Sequence, residues 1–139
     1  MADQSVLTVS IVTPDGEVYN RKNASLVIIN TKSGQMGIMP NHIPVVASLS
    51  VDQVRIDYHH HEDKIAVNGG FIEFSNDEAT IVANSAEKQS DIDVERATRA
   101  QKRAQAAITE SKKNHDKTTL QRSQLALERA VNRIHTAKH

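Results

Sequence analysis

The chain has 139 residues, 17 basic and 17 acidic, and no cysteine. That length holds one or two small domains, and the missing cysteines exclude a disulfide framework and a thiolate metal site. The zero net charge hides a division: residues 1–84 carry five Lys/Arg and ten Asp/Glu, residues 85–139 twelve and seven. Charge asymmetry of this kind suggests two units with different partners.

The first half reads as short strands. Val6–Val12 is rich in β-branched residues and ends at the turn signature Pro14-Asp15-Gly16. Glu17–Tyr19 can return as a second strand, and Ser25–Thr31 reads as a buried third, closed by Lys32-Ser33-Gly34. The segment Gly34–Pro44, GQMGIMPNHIP, is expected to be a rigid loop without regular structure, because its glycines and prolines demand special backbone angles. Val45–Leu49 follows as a strand. Strict alternation then places Val54, Ile56 and Tyr58 on one face, and Ile65 and Val67 likewise after a polar turn over His59–Asp63. Ile72 and Phe74 form the next row, and Ala79, Ile81 and Ala83 the last, after the turn Ser75–Glu78. Many short alternating strands predict an antiparallel two-sheet sandwich.

The second half has neither glycine nor proline: all five glycines and three prolines lie within residues 14–70. Ser90 or Asp91 can cap a first helix whose apolar positions recur at Ala97, Ala100, Ala104, Ala107 and Ile108. Polarity peaks over Ser111–Lys117, the expected connection. Asp116 or Thr118 can cap a second helix with a stripe at Leu120, Leu127, Ala130, Val131 and Ile134. A short link between amphipathic helices predicts an antiparallel hairpin. Its seam, counted as Ile92, Val94, Ile108, Leu120, Leu125, Leu127, Val131 and Ile134, is thin for its length. Such a hairpin is expected to dock on a surface or to be conformationally labile. The fold class is therefore α+β by segregation, with a sandwich over residues 1–86 and a hairpin over 87–139.

Two clusters carry candidate chemistry. Arg96, Arg99 and Arg103 share one face of the first helix, and Arg122, Arg129 and Arg133 one face of the second. Folding the hairpin near residue 114 sets Arg96 by Arg133 and Arg99 by Arg129, a gathering of guanidiniums suited to phosphate or carboxylate oxygens. Asp93 beside them can accept from a base amine or a ribose hydroxyl. The alternative is a solvated basic face with Glu95 and Arg99 as an ordinary ion pair. The run His59-His60-His61-Glu62-Asp63 is expected to be a solvated turn rather than a metal site, since adjacent imidazoles in a turn diverge. No nucleophile–base signature, P-loop or dinucleotide-binding glycine pattern is present, so the chain is expected not to be an enzyme. The basic half lacks aromatics, which argues against nucleic acid. No apolar run approaches the roughly 18 residues of a membrane span, and the polar start Met1–Ser5 is expected not to be a signal peptide.

The order of these features, with GQMGIMPNHIP, NGGFIEF, IDVERA and ERAVNRI, resembles the ε subunit of the rotary F-type ATP synthase over essentially the whole chain. The loop matches that family's Gly-x-x-Gly-Ile-x-Pro-x-His-x-Pro signature. The resemblance implies a non-catalytic central-stalk subunit of a proton-translocating enzyme. It would sit at the cytoplasmic face of the bacterial plasma membrane and reach the membrane only through the complex. It implies contact with the γ subunit and the c-subunit ring through the Gly/Pro loop, here Gln35, Met36 and His42. It implies no required cofactor, with ATP as a regulatory ligand whose contacts fall on Glu87, Ile92, Asp93, Arg96, Ala97, Arg103, Arg129 and Arg133. It further implies that the hairpin, extended toward the catalytic αβ ring, restrains ATP hydrolysis. A simple assembly module that never senses nucleotide is the competing reading.

Overall fold

The structure, a computed structural model, describes residues 5–139. The expectation about the polar start concerns residues that lie, up to Gln4, outside the described part. Eight strands come first: β1 Leu7–Thr13, β2 Gly16–Ala24, β3 Leu26–Thr31, β4 Gly34–Ile38, β5 Val45–Tyr58, β6 His61–Ser75, β7 Glu78–Ala83 and β8 Ala86–Lys88. A short 3-10 turn at Gln89–Asp91 leads to α1 Val94–Lys113 and α2 Lys117–Lys138. The chain divides into two compact units, one reaching to Gln89 and the other Ser90–His139.

The strands are hydrogen-bonded in the order β2-β1-β7-β6-β5-β3-β4, with β8 also on β6. Pairing is antiparallel except between β1 and β7, which run parallel. The long strands β5 and β6 make this ladder a sandwich. Ile65–Val67 of β6 pair with β8, whereas Gly70–Ser75 pair with β7, so one strand serves both layers. The change of layer falls at Gly69 and Gly70, both with positive φ (80° and 129°). At Gly70 an added Cβ would lie 2.1 Å from the Val82 carbonyl oxygen and 2.8 Å from Ala83 Cα. Only a residue without a side chain permits that approach. The alternating residues of both layers close over one core, with Phe74, Leu7, Ile11, Ile29, Ile38, Ile56, Ile65, Ile72 and Ile81 fully buried.

Four expectations change. Val45–Leu49 and Val54–Tyr58 are one strand, because the ladder with β6 continues from Val45–Phe74 to Tyr58–His61. The turn between them is two residues, His59 and His60, both left-handed (φ 42° and 64°). That is the backbone demand of a tight hairpin whose turn twists with its strands, and it puts Asp63 inside β6. The first half of the Gly/Pro loop is regular: β4 pairs with β3 from Val27–Ile38 to Thr31–Gly34. The Gly34 turn (φ 126°) begins a hairpin instead of an irregular loop. The helix boundaries move as well. Asp93, not Ser90 or Asp91, caps α1, its carboxylate accepting from the Arg96 N–H at 3.1 Å. The link shrinks to Asn114–Asp116.

One polar cluster was not visible in the sequence. The Tyr19 hydroxyl on β2 donates to Asp63 Oδ2 on β6 at 2.7 Å, and Tyr58 at the end of β5 donates to Oδ1 at 3.3 Å. Arg21 donates to the Tyr19 oxygen at 3.0 Å and lies 3.4 Å from the Tyr58 ring centroid. The cluster clasps β2 to the β5–β6 hairpin. Burial, with the bond to the Asp63 carboxylate second, raises the Tyr19 phenol above its ordinary value.

Gly70→Ala forces backbone apart at the bend and is expected to destabilise the sandwich by roughly 3 kcal/mol or more; chemical denaturation measures it. A raised phenol contributes stability that is whole below its unfolded value of about 10 and is lost as pH rises through the folded one. The advantage of the unmodified chain over Tyr19→Phe in denaturation midpoint is therefore expected to shrink above about pH 10.

Candidate functional site

α1 and α2 form a hairpin whose seam is built from small side chains. Ala97, Ala104 and Ser111 are buried on α1 at heptad spacing, with Ser123 and Ala130 on α2. Half-buried Ile108, Leu120, Leu127 and Ile134 lie between them. Leu125 and Val131, expected in the seam, are 40% and 45% exposed. Heptad spacing brings helices close where small residues meet, and Ala97, Ala104, Ser111, Ser123 and Ala130 are such residues, with Asn132 and Thr136 also buried on α2.

Gln101 of α1 lines a cleft of about 230 Å³ together with Val131, Ile134, His135 and Lys138 of α2. Arg96, Arg99 and Arg103 stand on α1, and Arg129 and Arg133 on α2. Of the candidate anion ligands, Arg96 and Arg103 are exposed, Arg129 and Arg133 half-buried, Ala97 buried and Ile92 half-buried. Arg129 stands out because its Nε is buried with no hydrogen-bond partner. A guanidinium N–H out of water and unpaired is costly, and an anion bound there would offset that cost. Asp93 spends one carboxylate oxygen on its helix cap. Glu87, the remaining candidate, is half-buried on β8 in the sandwich unit and pairs with Ala66.

The link is capped from both sides. The Asp116 N–H donates to Ser111 O at 2.9 Å, and its carboxylate accepts from the Thr119 N–H at 3.1 Å and the Thr119 hydroxyl at 2.6 Å. Those Thr119 bonds hold the carboxyl below its ordinary range.

On the sandwich, Gln35 is exposed on β4 opposite Asn30, and Met36 is half-buried against the core. His42 lies beyond β4, edge-on to Phe74 at 6.0 Å, with Nδ1 2.8 Å from Ile43 O. Its loop is pinned at left-handed Asn41, whose N–H donates to Asp77 Oδ1 at 2.7 Å. The sequence reading missed what surrounds it: Met39, Ile43 and Val46 are 60%, 73% and 77% exposed. Phe71 and Val82, a cross-strand pair, add exposed apolar surface on the same unit. The signal was present in Met39, Ile43 and Val46, apolar residues on either side of the two prolines that the core does not take up. The three histidines are spread along the hairpin end: His59 and His60 make the turn, and His61 packs on Tyr58 at 5.5 Å. Among the described residues no three His, Asp or Glu side chains converge on a metal position.

A β-sandwich unit followed by a long helical-hairpin unit defines the class of two-domain chain to which this one belongs. Comparison with known proteins makes this specific. Residues 6–89 match the β-sandwich domain of the ATP synthase delta/epsilon chain, and residues 90–138 its long α-helix domain. The chain is 62% identical to the ATP synthase epsilon chain of Levilactobacillus brevis and 56% identical to that of Pediococcus pentosaceus, each time over the whole of both chains. It therefore belongs to the ATP synthase delta/epsilon chain family, whose epsilon chains are stalk subunits of the synthase and not themselves catalytic. The fold is also that of a chain in the mitochondrial ATP synthase of Euglena gracilis. The TM-score there is 0.80 at 20% identity, covering all of this chain and 87% of the other. No described helix is long and apolar enough to cross a membrane.

Proposed function

We propose that this chain is a rotor subunit of a proton-translocating bacterial ATP synthase that couples the central stalk to the c ring and restrains ATP hydrolysis through its hairpin. It acts at the cytoplasmic face of the plasma membrane, held there by the complex. The sandwich is the fixed part, and the exposed apolar residues around His42, with Gln35 and Met36, are the surface offered to the γ subunit and the ring. The hairpin is the regulatory part and binds ATP without hydrolysing it. The observation that carries this reading is the unpartnered buried Nε of Arg129 on a basic, thinly seamed hairpin.

In this reading Arg129 and Arg133, with Arg96 and Arg103, hold the triphosphate. Asp93, Ile92 and Ala97 face the nucleoside. ATP shifts the hairpin between a folded state and one extended toward the catalytic αβ ring only through unequal affinity for the two.

A charge-assisted hydrogen bond contributes about 1.5–3 kcal/mol, and about 1.4 kcal/mol is tenfold in affinity. Arg129→Ala is therefore expected to raise the Kd for ATP at least tenfold by calorimetry on the full chain; unchanged affinity removes the site. A chain with no ATP binding at all would be an assembly module. Truncation after Gln89 is expected to raise ATP hydrolysis by the assembled enzyme, and an unchanged rate ends the braking idea.

A further inference from the structure

We propose that Asn114–Asp116 is the hinge on which the hairpin opens and that His115 sets how often it does. This rests on the regulatory reading above. α1 ends in a left-handed cap: the Asp116 N–H donates to Ser111 O at 2.9 Å and the His115 N–H to Lys112 O at 3.4 Å. In that motif the left-handed residue is usually glycine. Here it is His115, at φ 55°. A Cβ in that conformation disfavours it by roughly five- to thirtyfold in population. The folded hairpin thus carries a built-in opposing term at its one turn.

The terms on the other side are few. Asp116 both finishes α1 through its N–H and starts α2 through its carboxylate on Thr119. Its carbonyl oxygen accepts from the Leu120 N–H at 3.0 Å. Each of these backbone bonds has an equivalent in an unbroken helix once residues 114–116 turn right-handed. No glycine or proline from Phe71 to His139 stands in the way. The seam resists parting only in part, because Ala97, Ala104 and Ala130 contribute single methyl groups to it and its larger members, Ile108, Leu120, Leu127 and Ile134, are half-buried. A strained turn, a double cap and a light seam leave the folded and straightened states close in free energy, which is what a ligand needs in order to tip one into the other.

The absence of cysteine allows a direct test on the full chain. Gln105→Cys and Glu128→Cys, both at exposed positions, carry a pair of distance labels. They stand on α1 and α2 at similar distances along the chain from the link, so a folded hairpin holds them close, whereas a continuous helix holds them about 35 Å apart, at ~1.5 Å per residue. Glycine is at ease left-handed and poor in a helix, so His115→Gly is expected to shift the ratio of short to long distances about tenfold toward short. A β-branched residue is an outlier in that conformation, so His115→Val is expected to shift it about tenfold toward long. Asp116→Ala, which removes the α2 cap, is expected to move it the same way. An identical ratio in the unmodified chain, His115→Gly and His115→Val overturns the proposal, as does a single short distance in every variant. If the distances shift as stated but hydrolysis by the assembled enzyme does not follow, the hinge stands and the braking reading falls.

Discussion

The fold turns on the contact between Gly70 and the backbone of β7. Two short sheets made of separate strands would each need their own edges protected. Here β5 and β6 run through both layers, and the sheet bends where β6 carries Gly69 and Gly70. The bend lets Ile65 and Val67 face Ile72 and Phe74 across a single core. Because Val82 and Ala83 close over Gly70, the angle between the layers is set by backbone meeting backbone, which side-chain repacking cannot relax.

The hairpin is built on the opposite principle. The sandwich buries isoleucines, valines, leucines and a phenylalanine completely, whereas the hairpin buries chiefly alanine and serine. Its stability depends on helix caps, intrahelical hydrogen bonds and close approach of two backbones. The first unit is thus built to hold a fixed geometry, and the second is held together more lightly. The same contrast matches the charge division, since arginines left exposed or half-buried on the hairpin keep out of an apolar seam.

The strands of the first half could be read from their alternation, and the hairpin from its helical period, because each pattern is written locally. What the sequence concealed was long-range. Nothing in the stretch from Val45 to Tyr58 announces that one strand crosses two layers, since its alternation is interrupted at Ser50–Gln53. The pairing of GQMGI with β3 was hidden because glycine-rich segments carry little strand propensity. It forms only because Leu26–Thr31 offers an edge. The clasp of Tyr19, Arg21, Tyr58 and Asp63 joins residues more than forty positions apart and has no local signature. The arginine faces were legible from spacing, but their level across the hairpin was not. That depends on where a three-residue link falls, and helix boundaries are what sequence periodicity defines least well.

The seam has a thermal consequence. The heat-capacity change of a transition follows the apolar area it exposes to water. Parting helices whose fully buried members are small, with Ile108, Leu120, Leu127 and Ile134 only half-buried, uncovers less of it per residue than unfolding the sandwich does. The balance between folded and parted hairpin therefore curves less with temperature than the stability of the sandwich, which has the full curvature of a hydrophobic core. In the role proposed for it, such a hairpin holds its set point across a cell's working range more steadily than its scaffold holds its stability.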